Sequence, residues 1–285
     1  IENSEKQAIK LILESKRILI LGGSGFLGNA IYKELCNYYD TYGTYNSARR
    51  SFENNQQFLR YNLEEDDVFN ILEKVKPHVI ISALRGNFAS QIQAHQHIVE
   101  YLNQNECTLY FLSSANVFDA YRKYPSYEND KTLSESIYGK LKIKIENMLL
   151  RIPQKKMGIL RLPMVFGNGS PRIKEIKKLI WDNEPIEVFP NLVLNVTNDD
   201  KLTQQIHYLI NRNKTGIYHL GSSDLIQHEE FIKEVIEHLG NYHPVYKRVY
   251  TTNEDRYLAA LPKDNILPKN LRISCQEIID HHLPV

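Results

Sequence analysis

A glycine-rich turn between an apolar run and a helical pattern constrains this 285-residue chain more than any other feature. Gly22, Gly25 and Gly28 recur at three-residue spacing, directly after the apolar residues 18–21. A strand, a tight turn and a helix N-terminus in this order bring backbone N–H groups and the helix dipole to a pyrophosphate. Glycine is needed because a side chain would keep the phosphates away from the backbone. The turn therefore predicts a dinucleotide-binding site.

Short apolar runs alternate with longer amphipathic stretches over the first 167 residues. This alternation predicts an α/β fold, a Rossmann-type doubly wound parallel sheet with crossover helices. We expect strands at residues 17–21, 41–45, 58–61, 78–82, 108–112 and 157–161. We expect helices within the first fifteen residues and at residues 27–37, 66–74, 89–104 and 137–150.

The regular alternation stops after Gly167, where prolines become frequent. We therefore expect residues 1–167 to form mainly the dinucleotide-binding domain and residues 168–285 mainly a smaller C-terminal substrate-binding lobe. Helices are expected in the lobe near residues 173–181 and 229–239. Residues of about 192–220 are expected to return to the main sheet through a helix at 199–209 and a strand at 216–220. No stretch is long enough to act as a linker between independent domains.

Charge and cysteine content exclude several classes of function. The 35 basic and 34 acidic residues balance, so there is no field suited to nucleic acid or an anionic membrane. Cys36, Cys107 and Cys275 match no metal-ligand spacing, which favours a reducing compartment and a cytoplasmic location. No apolar run approaches the roughly 20 residues that span a bilayer, and the N-terminus has no signal-peptide pattern.

A tyrosine and a lysine four residues apart, Tyr138 and Lys142, lie on one face of a predicted helix. An ammonium group beside a phenol favours the ionised phenol and lowers its pKa from the ordinary value of about 10. Ser114 closes an apolar strand a short distance upstream. A solvated, lysine-rich helix face would explain Lys140 but not this serine. The three residues together predict proton transfer by Tyr138.

In this order and at these spacings, the glycine turn, Ser114, Tyr138 and Lys142 resemble the extended short-chain dehydrogenase/reductases. Residues 113–119 and 161–167 resemble the strand-five and strand-six segments of that family. Residues 195–202, followed by 216–220, narrow the resemblance to the branch that contains dTDP-4-dehydrorhamnose reductase. The resemblance implies hydride transfer from a nicotinamide to a carbonyl carbon while Tyr138 delivers a proton to the oxygen. It further implies that Lys142 holds the nicotinamide ribose and that Ser114 holds the substrate oxygen.

Cofactor choice depends on the end of the second predicted strand. An acidic residue there commonly binds the ribose 2′-hydroxyl, but in this chain Asn46 is followed by Arg49 and Arg50. Guanidinium groups suit a 2′-phosphate, so we expect NADP(H) to be preferred, with NAD(H) as the alternative. The resemblance assigns further cofactor contacts to Ser24, Phe26, Leu27, Asn62, Leu63, Ala83, Leu84 and Pro163.

The resemblance also implies a nucleotide-linked 4-keto-deoxysugar as substrate. Its expected contacts are Arg85, Ala115, Asn116, Met164 and Arg172. Ala115 and Met164 stand where rhamnose-type reductases usually carry Asp and Trp, so the sugar pocket is altered or the keto substrate differs. For Arg172 a solvent-facing helix start is the alternative.

Two other functions stay open at this point. One is a sugar-nucleotide 4-epimerase that retains NAD, and the other is an NADP-binding regulatory subunit similar to the methionine adenosyltransferase beta subunit. Dehydration is not expected, because Ala115 and Asn116 cannot serve as acid and base. The chain is also compatible with a homodimer.

Two histidines have structural interpretations. His95 lies at a helix position where the family often has a structural asparagine, so it either supplies the equivalent hydrogen bond or is a plain helix residue. His219 is expected to be a core histidine with satisfied hydrogen bonds, because buried polar groups are almost always paired.

Overall fold

The computed structural model describes residues 16–47, 50–167, 169–240 and 242–282. The chain divides into two compact units. The first comprises Ile1–Phe111 and Ile152–Met157, and the second Leu112–Arg151 and Gly158–Val285. The helix expected in the first fifteen residues lies outside the described part, and the domain boundary expected at Gly167 stays a prediction.

The first unit contains a parallel sheet. Its strands are β1 (Arg17–Leu21), β2 (Asp40–Tyr45), β3 (Phe58–Arg60), β4 (Val79–Ser82) and the first part of β5 (Thr108–Ser114). They lie in the order β5-β4-β1-β2-β3, and Ile18 pairs with Thr41 on one side and Val79 on the other. Residues 18–21 and 79–82 are all buried, as expected of parallel strands covered on both faces.

The described residues of the first unit form four α-helices: α1 (Phe26–Leu35), α2 (Arg50–Glu53), α3 (Val68–Val75) and α4 (Phe88–Gln104). Helices α3 and α4 begin at Asp67 and Asn87, whose side chains each accept a backbone N–H of the first turn. Helix α3 stops at Lys76, which adopts the left-handed conformation at φ 48°. Pro77 follows and cannot donate the next backbone hydrogen bond.

The described residues of the second unit form the rest of β5, most of β6 (Met157–Leu162) and five α-helices. The helices are α5 (Ile137–Leu149), α6 (Pro171–Trp181), α7 (Asp199–Asn211), α8 (His228–Leu239) and α9 (Cys275–His282). Ser136, Ser170 and Asn198 cap helices α5, α6 and α7 through their side chains. Strand β11 (Gly216–His219) pairs in parallel with β6. The expected return of residues of about 192–220 to the main sheet stays a prediction.

Seven short strands complete the second unit. They are β7 (Met164–Phe166), β8 (Ile186–Val188), β9 (Leu192–Leu194), β10 (Val196–Asn198), β12 (Ile226–Gln227), β13 (Tyr246–Arg248) and β14 (Arg256–Leu258). Strand β7 pairs with β10, β8 pairs with β13, and β9 lies between β12 and β14. All of these strands except β14 contribute, with α6, α8 and α9, to an apolar core that includes Phe166, Ile176, Val196, Phe231 and Ile278.

The structure confirms the Rossmann-type α/β class. Every strand and helix predicted within the described residues is present, with ends that differ by at most two residues. The sequence analysis did not predict the seven short strands, α2 or α9. The short strands have only two or three residues each, which is too few to show a period of two.

His95 on α4 is hydrogen-bonded through both ring nitrogens. Its ring is fully buried, with Nδ1 2.6 Å from the carbonyl oxygen of Gln91 and Nε2 2.9 Å from Ser82 Oγ. A carbonyl oxygen only accepts, so Nδ1 carries the proton and Nε2 accepts from the Ser82 hydroxyl. The ring therefore ties α4 to the end of β4.

We expect His95→Leu to lower the free energy of unfolding by about 1–3 kcal/mol, because it leaves the buried Ser82 hydroxyl without this acceptor. Urea denaturation measures the change. Gln93→Leu, at an exposed position of the same helix, is the control and should have little effect. If the two substitutions lowered the free energy of unfolding equally, the stabilising hydrogen bond between His95 and Ser82 would be contradicted.

Candidate functional site

The glycine turn after β1 is sterically closed to side chains at Gly22, Gly23 and Gly28. A Cβ at Gly23 would lie 2.8 Å from the Cα of Gly43 on β2. Gly22 has φ +83°, and a Cβ there would lie 2.7 Å from the carbonyl oxygen of Ala83. A Cβ at Gly28 would overlap the carbonyl oxygen of Gly22. Glycine at 22 and 28 therefore allows the turn to close against β4 and against the first turn of α1.

Thr44 on β2 supports the same turn. Its Oγ1 accepts the backbone N–H of Gly22 at 2.8 Å, and its carbonyl oxygen accepts the N–H of Ser24 at 3.0 Å. The N–H of Gly25 is donated to the carbonyl oxygen of Gly22 at 3.0 Å. The sequence analysis missed Thr44, because a residue 22 positions beyond Gly22 shows no local pattern that links it to the turn.

The N-terminus of helix α1 has no side-chain cap. Gly25 is its N-cap and supplies no side-chain hydrogen bond, unlike the caps of α3 and α4. The first N–H groups of an α-helix have no acceptor within the helix, and the first turn of α1 carries no acidic residue. Because these donors and the helix dipole attract anions, the N–H groups of Phe26, Leu27 and Gly28 fit a phosphate group.

Four other predicted cofactor residues follow strands of the first unit. Ala83 and Leu84 follow β4, with Leu84 buried and Ala83 half-buried. Asn62 and Leu63 follow β3 and are half-buried. The Asn62 side-chain oxygen accepts the backbone N–H of Glu64 at 3.1 Å, which closes a local turn. Contact of these residues with a cofactor stays a prediction.

The residues predicted to select the cofactor are described only in part. Asn46 is exposed just after β2. Arg49 and the side chain of Arg50 lie outside the part of the chain that the structure describes. Arg85, a predicted substrate contact, is exposed beyond the end of β4.

Tyr138 and Lys142 of the second unit lie close together on α5, as predicted. Lys142 Nζ is 5.5 Å from the centroid of the Tyr138 ring. The Lys142 side chain is buried, and its Nζ donates to the carbonyl oxygen of Leu112 on β5 at 2.9 Å. Tyr138 is 43% exposed. A buried ammonium group thus lies beside an accessible phenol.

Ser114 ends β5 and caps the 3₁₀ turn Ala115–Phe118. Its Oγ accepts the backbone N–H of Asn116 at 3.2 Å and donates to the Asn116 side-chain oxygen at 3.0 Å. These two bonds hold the hydroxyl in one orientation at the end of the strand.

Gly139 lets α5 approach the segment that follows Ser114. A Cβ at this position would overlap the backbone oxygen of Asn116 and the hydroxyl of Ser134. The sequence analysis did not assign Gly139 a role, although an interior glycine in a helix often marks a close approach. Its missing side chain brings the helix that carries Tyr138 against the turn that Ser114 opens.

The remaining predicted contacts occupy different environments in the second unit. Ala115 is buried in an apolar cluster with Val117, Phe118 and Ala260. Pro163 and Met164 are half-buried at the end of β6 and the start of β7, and Arg172 is exposed in the first turn of α6. Contact of Ala115, Asn116, Met164 and Arg172 with a substrate, and of Pro163 with a cofactor, stays a prediction.

A buried polar network lies behind the Tyr138 and Lys142 pair, and the sequence analysis missed it. Glu146 on α5 and Arg161 on β6 form an ion pair, with Nη2 2.8 Å from Oε2, and their side chains are 1% and 2% exposed. Ser113 Oγ donates to Glu146 Oε1 at 2.6 Å. Glu146 follows Lys142 by four residues, and this spacing is the only signal in the sequence that places it on the same helix face.

His219 is a satisfied core histidine, as predicted. Its Nε2 lies 3.3 Å from Arg161 Nη1 and its Nδ1 3.0 Å from the carbonyl oxygen of Leu261. Arginine only donates, so Nε2 accepts and Nδ1 carries the proton. Burial and the neighbouring Arg161 charge lower the pKa of His219 to about 3. Burial and the Arg172 charge likewise lower the pKa of His228 to about 4.

These two histidines should make stability depend on pH. Both are neutral in the folded chain, whereas in the unfolded chain they titrate near pH 6.5. Below about pH 6.5 the unfolded state therefore binds more protons than the folded state. The two histidines contribute fully to the free energy of unfolding above that pH, and this contribution is lost as the pH falls toward their pKa values in the folded chain. We expect the free energy of unfolding to fall between about pH 6.5 and 4.5, by up to about 1.4 kcal/mol per pH unit for each histidine.

Urea denaturation across this pH range measures the slope. His228→Asn should make the slope shallower, and His243→Asn, at an exposed position, should leave it unchanged. A slope that is the same in the parent chain and in His228→Asn would contradict the pKa of about 4 given for His228.

The described residues contain neither a membrane span nor a metal cluster. None of the helices in the described ranges is both long and apolar enough to cross a membrane. The same part of the chain has no group of three or more His, Cys, Asp or Glu side chains that could hold a metal ion.

A parallel sheet with a glycine turn after β1, followed in order by Ser114, Tyr138 and Lys142, is typical of the short-chain dehydrogenase/reductase class. A family model described as RmlD substrate binding domain matches residues 16–281. The chain therefore belongs to this family, a branch of the extended short-chain dehydrogenase/reductases, and the resemblance found in the sequence is confirmed.

Two curated relatives differ in function. The beta subunit of methionine adenosyltransferase 2 from Danio rerio is 33% identical over 165 residues, which cover 53% of this chain and 49% of that protein. A dTDP-4-dehydrorhamnose reductase from Aggregatibacter actinomycetemcomitans is 24% identical over 234 residues, which cover 75% and 76% of the two chains. The chain thus spans about half the length of the methionine adenosyltransferase subunits that it matches.

Solved structures share the fold. A dTDP-4-dehydrorhamnose reductase from Bacillus anthracis in complex with NADP has a TM-score of 0.74 at 19% identity, covering 94% of this chain and 98% of that one. A UDP-glucuronic acid 4-epimerase from Bacillus cereus in complex with NAD has a TM-score of 0.72 at 15% identity, covering 94% and 97%. At these identities the likeness concerns the fold alone.

Proposed function

We propose that this chain is an NADPH-dependent reductase of a nucleotide-linked 4-keto-deoxysugar. The observation that carries the proposal is the Tyr138 and Lys142 pair, with the buried ammonium group 5.5 Å from the centroid of the phenol ring. Membership of the RmlD substrate binding domain family and the likeness to a dTDP-4-dehydrorhamnose reductase support the substrate class.

Tyr138 is the proton donor in this proposal. Its O–H gives a proton to the carbonyl oxygen of the substrate, and the positive charge of Lys142 stabilises the phenolate that is left behind. Ser114 fixes the position of the same oxygen through a hydrogen bond. A bound nicotinamide cofactor supplies the hydride that reduces the carbonyl carbon, so the products are an alcohol and the oxidised cofactor.

We propose NADP(H) as the preferred cofactor and NAD(H) as the alternative. The uncapped N-terminus of α1 and the closed turn at Gly22 and Gly28 fit a pyrophosphate without a side chain in the way. Arg49 and Arg50 carry the preference for a 2′-phosphate, and no carboxylate stands between Asn46 and Arg50 to bind a 2′-hydroxyl instead.

A regulatory subunit is the second candidate. The identity of 33% to a methionine adenosyltransferase beta subunit favours it. In that case the chain would bind the cofactor and a partner protein without reducing a sugar. The presence of Ser114, Tyr138 and Lys142 favours the enzyme, because binding alone requires no proton donor.

We expect purified protein to oxidise NADPH faster than NADH when dTDP-4-dehydrorhamnose or a related keto sugar nucleotide is supplied. Tyr138→Phe should lower this rate by about 10²- to 10⁴-fold, the usual contribution of a general acid. Binding of NADP⁺, measured by calorimetry, should be retained. Tyr124→Phe, at an exposed position, is the control and should keep the full rate.

The alternatives give different results in the same assay. Binding of NADP⁺ with no oxidation on any keto sugar nucleotide would contradict the reductase and favour the regulatory subunit. Interconversion of two sugar nucleotides with no net oxidation of the cofactor would instead favour the 4-epimerase.

A further inference from the structure

One face of helix α5 is fastened to β5 and to the turn after it at three successive turns of the helix. Gly139 lies against the backbone oxygen of Asn116, Lys142 Nζ donates to the carbonyl oxygen of Leu112, and Glu146 accepts from Ser113 Oγ. Residues three and four apart share a helix face, so this face also carries Tyr138. Ser114 lies within the strand segment that these contacts hold.

The contact made by Glu146 is the most directional of the three. Its Oε1 accepts from Ser113 Oγ at 2.6 Å and from Arg161 Nε at 3.2 Å, and its Oε2 accepts from Arg161 Nη2 at 2.8 Å. Because the donors come from two strands and the carboxylate is buried, the helix cannot rotate or slide without breaking a hydrogen bond.

Arg161 is itself held from other directions. Its Nη1 donates to the carbonyl oxygen of Glu128 at 3.1 Å and to His219 Nε2 at 3.3 Å. Its guanidinium carbon lies 4.8 Å from the centroid of the Phe118 ring, in the turn that Ser114 opens. The guanidinium therefore provides a fixed point to which α5 is attached.

We propose that Ser113 and Glu146 are positioning residues, which set the register of α5 against the end of β5 and so hold Tyr138 and Lys142 in place relative to Ser114. The proposal rests on the reductase function proposed above. Ser113 immediately precedes Ser114, so one hydrogen bond links the strand that carries the serine to the helix that carries the phenol.

A role in fold stability alone does not explain why Ser113, Glu146 and Arg161 form a buried polar network. Buried ion pairs can often be replaced by apolar side chains without loss of stability, and apolar contacts do not fix a register as hydrogen bonds do. Catalysis, by contrast, requires the proton donor to be held in place, since a misplacement of about 1 Å can lower a rate about 100-fold.

Ser113→Ala tests the proposal, because it removes the 2.6 Å hydrogen bond and leaves both members of the ion pair in the chain. We expect kcat to fall about tenfold, because Tyr138 is then held less precisely relative to Ser114. We also expect backbone amides of residues 137–149 to exchange hydrogen faster, as measured by mass spectrometry. Ser113→Thr keeps a hydroxyl and should restore both properties.

Ser222→Ala is the matched control. Ser222 is also fully buried, and its hydroxyl accepts the backbone N–H of Val196 and donates to the carbonyl oxygen of Asp224. It should lower the midpoint of thermal unfolding as much as Ser113→Ala does, with no change in kcat or in exchange of residues 137–149.

The exchange measurement needs no substrate, so it separates the two proposals. An inactive parent protein would overturn the reductase function, whereas faster exchange in Ser113→Ala would still support the fastening of α5. If Ser113→Ala had the parent kcat, or if its α5 amides exchanged no faster than in Ser222→Ala, the positioning role would be wrong.

Discussion

The buried pair of Glu146 and Arg161 is the constraint on which the arrangement of the second unit depends. A carboxylate and a guanidinium that are both removed from water are tolerated only if their hydrogen bonds are satisfied. Here the partners are Ser113, the carbonyl oxygen of Glu128 and a neutral His219. Satisfying one buried charge thus fixes α5, the ends of β5 and β6, and the loop at Glu128 relative to one another.

The same helix face carries both the anchoring contacts and Tyr138, the proposed proton donor. Glu146 and Lys142 are buried and bound to β5, whereas Tyr138, one turn closer to the N-terminus, is partly exposed. A side chain that transfers a proton must be accessible to its substrate, and it must also be held in a fixed position. Tyr138 meets both requirements, because it lies at the exposed end of α5 and the next two turns of the helix are hydrogen-bonded to β5.

The sequence predicted the parts of the molecule that have a local signature. Strand β1, the glycine turn and α1 follow one another within about twenty residues, and Tyr138 and Lys142 are one helical turn apart, so spacing alone placed them. Thr44, Ser113, Glu146 and Arg161 were not assigned. Their partners lie 15 to 33 residues away in the chain, and only the packed fold brings them together.

In the proposed reaction NADPH reduces the carbonyl of the substrate, and the phenol of Tyr138 on α5 supplies the proton. The most direct measurement uses NADPH deuterated at C4 of the nicotinamide, in each of its two stereoisomers, with dTDP-4-dehydrorhamnose and analysis of the product by mass spectrometry and NMR. We expect one stereoisomer to transfer its deuterium to C4 of the sugar, with one NADPH oxidised per alcohol formed. Cofactor binding without deuterium in any sugar product would contradict it.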